Sequence, residues 1–254
     1  MEVYYLFVCF IFGTVLGSFY NVVGYRLPKG ESLLYPASHC PKCNHRLTPS
    51  ELVPIFSFLF QGGKCKNCKE KISWFYPIFE FVSGLLFACS YFIFGFGIEF
   101  VIALTFISML LIIVLSDYEY MVIPDEVLIC FSVFLGLELL FGYGWKIFFS
   151  MLFQGVLAFV FMFLLKQFGN FLFKKESMGD GDIKLMFVFG LVLGFPMAVF
   201  SIFIGSLIGL PISVILLKKS SSHIIPFGPF LSAGALTILL TRINFDWLLQ
   251  LWGV

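Results

Sequence analysis

The chain has 254 residues, of which 60% are hydrophobic and only 12% are charged, and its formal net charge is +1. This apolar fraction is far above that of an ordinary soluble domain, so the composition excludes that class. The neutral balance, with aromatic residues not interleaved with Lys and Arg, also argues against nucleic-acid binding. We therefore expect an all-α polytopic membrane protein in a lipid bilayer.

Apolar segments long enough, or nearly long enough, for spanning helices of about 20 residues follow one another along the chain. They lie near residues 3–23, 77–96, 99–116, 125–142, 147–166, 183–195, 197–217 and 228–249. The sixth is short and ends at Phe195-Pro196, so a re-entrant segment is the alternative there. The pattern predicts about eight transmembrane helices.

Basic residues predict the orientation, because Lys and Arg stay preferentially on the cytoplasmic side. If all eight segments span, fourteen of the 16 Lys and Arg residues fall on one side, among them eight in the loop 24–76. If the sixth does not span, the number is thirteen. Either way this loop is predicted to be cytoplasmic, and with eight spans both termini face outward.

Two C-x-x-C pairs, Cys40-Pro41-Lys42-Cys43 and Cys65-Lys66-Asn67-Cys68, lie in this loop and are separated by 21 residues. The spacing is close to that of zinc ribbons. Four thiolates complete a tetrahedral shell without an open position, so we predict a structural Zn²⁺ site. Disulfides and an iron centre are alternatives, and a reducing cytoplasm disfavours disulfides. His39 and His45 flank the first pair and are predicted to be surface residues.

Carboxylates also occur at the ends of apolar segments. Asp180 and Asp182 lie in the glycine-containing turn 178–184, and Asp117 ends another apolar segment. An ionised Asp at the bilayer centre costs roughly 2.5–3.5 kcal/mol of insertion free energy, so acids near membrane depth indicate a functional role. Two carboxyls that share one water titrate apart, which gives a general base and a general acid. We hypothesise that Asp117 and Asp182 meet near one membrane face as an aspartic protease pair.

Other interpretations of these residues remain open. The turn could instead be a solvated helix start in which Asp182 caps the following helix, and Asp117 could be an acid at the C-terminus of its helix in the headgroup region. Asp125 follows a proline and is predicted to be an N-cap. Gly179 and Gly181 are predicted to allow backbone conformations that a Cβ would forbid, and to let a substrate chain approach closely.

Three more acids near the predicted cytoplasmic face have weaker assignments: Asp180 is the spare acid of the turn, and Glu119 and Glu126 are interface acids. Glu80 and Glu138 lie deeper in their segments. Each of these two could be a buried, hydrogen-bonded acid that holds helices in register, and this reading leads for Glu138.

Five motifs in order resemble those of the type IV prepilin peptidases, membrane aspartic peptidases of the GxGD class. They are GSFYNVVGYRLP at 17–28, the two cysteine pairs, ISWFYPIFE at 72–80, Asp117 followed by IPD at 123–125, and GDGD at 179–182. One position departs from the family pattern, because Phe75 stands where the family usually has Arg. That departure puts in doubt the charge contact the Arg would make.

The resemblance implies that Asp117 and Asp182 are the catalytic pair, with Gly179, Asp180, Gly181 and Glu80 as supporting residues. It implies a prepilin or pseudopilin substrate whose short basic leader is cut at the cytoplasmic face. Many members then methylate the new N-terminus with S-adenosylmethionine, an activity associated with the cytoplasmic loop. Gly63, two residues before the second cysteine pair, matches a glycine of methylating members, although a turn explains it equally well.

The expected organisation is a first helix (1–23), a four-cysteine zinc loop that is a candidate methyltransferase region (24–76) and a peptidase domain (77–254), in the bacterial cytoplasmic membrane. The nearest alternative is another GxGD intramembrane protease. An alternative from a different class is a zinc-stabilised transporter in which the acids relay protons.

Overall fold

The computed structural model describes residues 1–219, 226–244 and 250, and its regular structure is helical. Two compact units divide the chain, Met1–Phe96 and Gly97–Val254. Within the described residues the helices are α1 (Glu2–Arg26), α2 (Phe56–Phe60), α3 (Phe75–Phe94), α4 (Ile98–Tyr120), α5 (Asp125–Tyr143), α6 (Trp145–Phe173), α7 (Asp180–Leu193), α8 (Phe195–Lys219) and α9 (Gly228–Thr241). The all-α prediction is confirmed.

In the unit Met1–Phe96, helices α1 and α3 pack together through small residues. A Cβ at Gly13 would lie 2.7 Å from the carbonyl oxygen of Ser83, and a Cβ at Gly17 would lie 2.7 Å from the Ser83 side chain. On the facing helix, a Cβ at Gly84 would lie 2.6 Å from Thr14 Cγ2. Small residues four apart let two membrane helices approach to backbone contact, which explains the close packing here.

The polar loop between α1 and α3 is tied to α3 by a carboxylate. The backbone N–H of Ile55 donates a hydrogen bond to Glu80 Oε2 at 2.8 Å. Ile55 has a φ angle of 62°, which is uncommon for a β-branched residue. The buried Glu80 side chain therefore supports an unusual turn just before α2.

In the unit Gly97–Val254, helix α4 forms the core. Phe106, Ile107, Ile113 and Leu115 on α4 have no exposed surface. Helices α5 and α9 pack against α4, and the Phe106 ring meets the Phe189 ring of α7 with centroids 5.7 Å apart. By contrast, many apolar side chains of α6 are exposed, as expected for a helix that faces lipid.

Helix α7 is short and closely packed. Its 14 residues give a length of about 21 Å, which is less than the roughly 30 Å of a bilayer core. Gly194, with a φ angle of 82°, ends α7, and the Phe195 N–H that begins α8 donates to Gln154 Oε1 of α6 at 3.0 Å. A Cβ at Gly190 would lie 2.6 Å from the Gln154 carbonyl oxygen, so α6 and α7 are in backbone contact.

Six described helices are long and apolar enough to cross a membrane: α1, α3, α4, α5, α6 and α8. The predicted sixth segment, 183–195, corresponds to the short helix α7, and the predicted eighth, 228–249, corresponds to α9, which ends at Thr241. Residues 245–249 of that segment lie outside the described residues. The orientation of the termini and the domain boundaries at residues 23 and 76 stay predictions.

Candidate active site and metal centre

Asp117 lies in the last turn of α4 and is buried, with 7% of its surface exposed. The helix ends three residues later because Met121 adopts a left-handed conformation and donates its N–H to the Asp117 carbonyl oxygen at 2.9 Å. This ending turns the chain into the 121–124 segment that leads to α5. Asp117 is therefore the last buried residue of α4, and Tyr118 and Glu119 after it are exposed.

The N-terminus of α9 contacts the Asp117 carboxylate directly. The backbone N–H of Gly228 donates a buried hydrogen bond to Asp117 Oδ2 at 2.9 Å. A Cβ at Gly228 would lie 2.6 Å from the same oxygen, so only glycine fits at this distance. A backbone donor at the positive end of a helix stabilises negative charge on the carboxylate.

Asp182 lies in the first turn of α7 and is also buried, with 8% of its surface exposed. The helix starts at this turn, but its N-cap is Gly179 rather than Asp182, and the burial of Asp182 contradicts the alternative of a solvated helix start. The Asp182 carboxylate instead accepts a hydrogen bond from the Gly179 backbone, and it is close enough to Asp117 for the two charges to repel. The structure therefore brings together the two acids that the sequence hypothesis paired.

Two contacts hold the start of α7 against the turn before α5. A Cβ at Gly181 would lie 2.8 Å from Ile123 Cβ, so the glycine permits a close approach of the two segments. Lys184 Nζ lies 2.7 Å from Asp125 Oδ1 and equally far from Oδ2. Asp125 is the first residue of α5 and makes no capping hydrogen bond, so its predicted N-cap role is wrong.

The two turn glycines do not have the backbone conformation that the sequence suggested. Gly179 has φ −70° and ψ 148°, which any residue can adopt. Gly181 lies inside α7, where positive φ angles do not occur. The prediction of a conformation forbidden to a Cβ is therefore wrong, and the close contact with Ile123 is the structural reason for glycine at residue 181.

The remaining acids are distributed over both units. Asp180 is exposed and pairs with Lys166 of α6 at 2.5 Å. Glu138 on α5 accepts a hydrogen bond from the Thr105 hydroxyl of α4 at 2.6 Å, which agrees with a helix-register role. Glu80 belongs to the other compact unit and supports the Ile55 turn there.

The four predicted zinc ligands come together in the loop of the first unit. The sulfur atoms of Cys40, Cys43, Cys65 and Cys68 all lie within 4.8 Å of one another. The Cys40–Cys68 and Cys43–Cys65 sulfur distances are 3.8 and 3.9 Å. A Zn–S bond of about 2.3 Å gives a tetrahedron with edges of about 3.8 Å, so the cluster fits a Zn²⁺ ion.

The two cysteine turns have the same hydrogen-bond pattern. In the first, the Asn44 N–H donates to the Cys40 carbonyl oxygen and the Cys40 N–H donates to the His45 carbonyl oxygen. In the second, the Lys69 N–H donates to the Cys65 carbonyl oxygen, and the Cys65 N–H donates to the Glu70 carbonyl oxygen. Each turn therefore positions its two cysteines through backbone hydrogen bonds within the turn.

Nearby donors prepare the thiols for metal binding. Hydrogen bonds from the His45 backbone and from the Asn67 side chain lower the pKa of the Cys43 thiol to about 6. Backbone hydrogen bonds from Cys68 and Asn67 lower the pKa of the Cys65 thiol. Desolvation and the neighbouring cysteines raise the pKa of the Cys68 thiol to about 12, so in the absence of an ion the protons are held unequally by the four sulfur atoms. Thiolates are the metal-binding form, and Cys43 and Cys65 are the thiols that this environment prepares for metal binding. The His45 ring contacts Glu51 at 3.3 Å and is not part of the sulfur cluster.

Comparisons with known proteins match both units of the chain. Residues 11–94 match the bacterial peptidase A24 N-terminal domain, and residues 104–214 match the type IV leader peptidase family. A prepilin leader peptidase/N-methyltransferase of Bacillus subtilis is 39% identical over 91% of this chain and 92% of its own length. A protein of the same name from Pseudomonas aeruginosa is 32% identical over 96% of this chain and 89% of its own.

The chain belongs to the type IV leader peptidase family. No solved structure matches it. Family membership and the six long apolar helices indicate a multi-pass protein of the inner membrane. The leader peptidase match spans Asp117 and Asp182, and the N-terminal match spans all four cluster cysteines.

The sequence did not point to one residue of this candidate site. Gly228 donates to Asp117 but lies beyond the family match, which ends at residue 214. The available signal was the turn Pro226-Phe227-Gly228-Pro229 directly before an apolar segment, since proline at the start of a helix marks an N-terminus. Nothing in the sequence placed that N-terminus against Asp117.

Proposed function

We propose that this protein is a membrane aspartic endopeptidase that removes the short basic leader of type IV prepilins or pseudopilins at the cytoplasmic membrane face. The observation that carries the proposal is the pair of buried carboxylates, Asp117 and Asp182, close enough to repel each other in one compact unit. Family membership and the names of the similar proteins support the same reaction.

Each of the two acids accepts a backbone hydrogen bond at the N-terminus of a helix, Asp117 from Gly228 of α9 and Asp182 from Gly179 before α7. Because the two carboxylates would repel each other, one is ionised while its partner holds a proton. In the proposed mechanism the ionised acid takes a proton from the attacking water, and the protonated acid donates its proton to the peptide group. Water adds to the peptide carbonyl, the C–N bond breaks, and the amine leaves with a proton.

The substrate is expected to enter with its leader near the exposed acids of this unit. Asp180, Glu119 and Glu126 are all exposed, and they are the proposed contacts for basic leader residues. Reversing their charges should weaken cleavage without abolishing it, because exposed charges guide binding more than chemistry. Equal cleavage rates for D180K, E119K, E126K and wild type would contradict this recognition.

A second activity is proposed for the unit Met1–Phe96. The similar proteins are named leader peptidase/N-methyltransferases, which supports methylation of the new N-terminal amine. S-adenosylmethionine would supply the methyl group to that amine, leaving S-adenosylhomocysteine and one proton. The Zn²⁺ ion held by the four cysteines would be structural, because its shell is complete without substrate.

The test is a single assay that scores both activities. Purified full-length protein is incubated with a synthetic short-leader prepilin and S-adenosylmethionine, and the new N-terminus is read by mass spectrometry. Wild type should yield a cleaved and methylated product. D117N and D182N should each lower hydrolysis by at least about 10³-fold, since each removes a group needed for proton transfer.

The matched control is D180N, which changes an acid of the same turn that is exposed and paired with Lys166. D180N should retain hydrolysis within a few-fold of wild type. Cleavage by D117N or D182N at the D180N rate would refute the aspartic mechanism. Proton or substrate flux in proteoliposomes without any prepilin cleavage would favour the transporter alternative.

A further inference from the structure

A cavity of about 520 Å³ lies within the unit Met1–Phe96, between α1, α3 and the cysteine loop. This volume falls in the range of roughly 300–1,000 Å³ that is typical of small-molecule sites. One wall is a single face of α1, because its lining residues recur every three or four positions. These residues are Ser18, Asn21, Val22, Tyr25, Arg26 and Lys29.

In this wall, the Asn21 side chain is buried without the hydrogen bonds that a buried amide normally makes. Its side chain is buried, with 5% exposed, and neither Oδ1 nor Nδ2 has a hydrogen-bond partner among the described residues. Buried amides are normally paired, because an unpaired donor or acceptor loses its hydrogen bonds to water. Since Asn21 lines the cavity, the missing partner is best supplied by a ligand that offers a donor next to an acceptor.

Glu51 contributes a second unpaired polar atom to the same cavity. Its Oε2 accepts hydrogen bonds from the Thr48 N–H at 3.0 Å and the Thr48 hydroxyl at 2.7 Å, whereas Oε1 has no partner in the described part of the chain. The backbone and side-chain bonds from Thr48 lower the pKa of Glu51 to about 2, so it is ionised at neutral pH. A free carboxylate oxygen suits the hydroxyl groups of a ribose.

Aromatic rings supply flat apolar surface beside these polar groups. Tyr25 and Tyr76 both line the cavity, with ring centroids 5.9 Å apart, and Phe58 lines it as well. Gly63 lies behind Phe58, where a Cβ would be 3.0 Å from the ring tip, and it has a φ angle of 67°. Such rings can stack on a planar base.

We propose that this cavity binds S-adenosylmethionine, with the Asn21 amide reading the adenine and Glu51 Oε1 binding the ribose hydroxyls. An Asn amide pairs with adenine through two hydrogen bonds, accepting from the N6 amino group and donating to N7. The inference rests on the proposed methyl transfer, and it adds the site and the residue that recognises the base. The first-helix motif at 17–28 thereby gains a role that the peptidase site does not give it.

The test measures binding rather than turnover. Full-length protein in lipid nanodiscs is titrated with S-adenosylhomocysteine by calorimetry, and the titration is repeated with S-inosylhomocysteine. The second compound carries a carbonyl oxygen in place of the N6 amino group, so it cannot donate to Asn21 Oδ1. Wild type should bind S-adenosylhomocysteine about tenfold more tightly than the inosyl analogue.

The variant N21L keeps the branched shape of the side chain and removes both polar atoms. It should bind S-adenosylhomocysteine at least about tenfold more weakly than wild type and should no longer distinguish the two compounds. The matched control is T14V, which removes a different buried polar group of α1, a hydroxyl that in the described part of the chain donates to the Ile11 carbonyl oxygen of the same helix. T14V should keep the wild-type affinity and preference.

The outcomes separate this inference from the proposed function. Cleavage and methylation by a wild-type protein that binds both compounds equally would reject Asn21 as the base reader and leave the enzyme intact. Unchanged affinity and preference in N21L would reject it as well. Tight, Asn21-dependent binding in a protein that cleaves no prepilin would support the site while the proposed peptidase function fails. The wild-type comparison of two ligands remains decisive if N21L does not fold.

Discussion

The two compact units hold polar groups in a largely apolar protein by different means. In Met1–Phe96, four cysteines lie on two short turns with the same hydrogen-bond pattern, and each turn is complete within about six residues. In Gly97–Val254, the acid site draws Asp117, Asp182 and Gly228 from three different helices, and the hydrogen bond from Gly228 spans 111 residues. A substitution in the cysteine cluster should therefore affect only the loop around it. A substitution in the acid site should act through the packing of the helices that form it.

Removal of the metal ligands should have the largest effect. The variant C43S should lose the zinc ion, because three remaining thiolates leave the shell incomplete. Structural zinc contributes an apparent binding free energy of about 10–16 kcal/mol at neutral pH, and the polar loop has few apolar contacts to replace it. Metal analysis should show one zinc per chain in wild type and none in C43S. Trypsin should cut the variant within residues 27–74.

The control for metal removal is C130S, which changes an exposed cysteine of α5 that is outside the cluster. It should keep both zinc and protease resistance. If the contrast between the units is correct, C43S should show no new cuts in residues 97–219. Digestion throughout that range would mean that the metal site stabilises the helical unit as well. A fully zinc-loaded C43S protein would overturn the ligand assignment.

The substitution G228A tests whether the acid site depends on close packing. The new Cβ would lie 2.6 Å from Asp117 Oδ2, so the carboxylate or α9 must shift, and either movement disturbs the 2.9 Å hydrogen bond. Loss of one donor to a charge that develops in the transition state lowers kcat by about 10²–10³-fold, and we take about 10²-fold as the scale for a donor that orients the catalytic carboxylate. We expect such a loss in kcat with little change in KM, because Gly228 positions Asp117 rather than binding the substrate.

The matched control for G228A is G97A. Gly97 precedes α4 with an extended backbone, and a Cβ there would meet no atom within 4 Å. This variant should cleave prepilin at the wild-type rate. Wild-type kcat in G228A would show that the hydrogen bond from α9 is dispensable. A rise in KM with unchanged kcat would place Gly228 in substrate binding instead.

The contrast between the units also explains what the sequence could predict. The cysteine spacing specifies a metal site because the ligands of each turn are neighbours in the chain, and the structure places all four together as expected. Asp117 and Asp182 were recognisable because acids at the ends of apolar segments are costly and because their motifs resemble a family. The sequence indicated that these two acids belong together, but it did not indicate which residues surround them.

The surroundings depend on long-range packing, which single residues do not signal. The contact of Gly181 with Ile123 and the bond from Gly228 to Asp117 join segments 58 and 111 positions apart. Local preference predicted an unusual conformation for Gly179 and an N-cap role for Asp125, whereas Gly179 has an ordinary extended conformation and Asp125 pairs with Lys184 of α7. The unpaired amide of Asn21 is likewise visible only after α1, α3 and the loop enclose it.

The ion pair between Lys184 and Asp125 should give the smallest effect. Its atoms are 2.7 Å apart, but the two side chains are 45% and 55% exposed, and exposed pairs contribute about 0–1 kcal/mol. K184A and D125A should each lower stability by no more than about 1 kcal/mol, and the double variant should add little, because both remove the same interaction. Chemical unfolding in detergent at low and high salt measures this coupling, which salt should weaken.

Measuring prepilin cleavage distinguishes the contribution of the Lys184–Asp125 ion pair from that of the neighbouring packing contact. The contact of Gly181 with Ile123 still holds α7 in K184A, so prepilin cleavage should fall by less than about fivefold. The control is R242A, which breaks a similarly exposed pair with Glu99 at the opposite end of α4 from Asp117, and it should cleave at the wild-type rate. If K184A instead loses as much activity as G228A, the ion pair rather than the apolar contact positions Asp182, and a surface charge would then control a site that we attribute to packing.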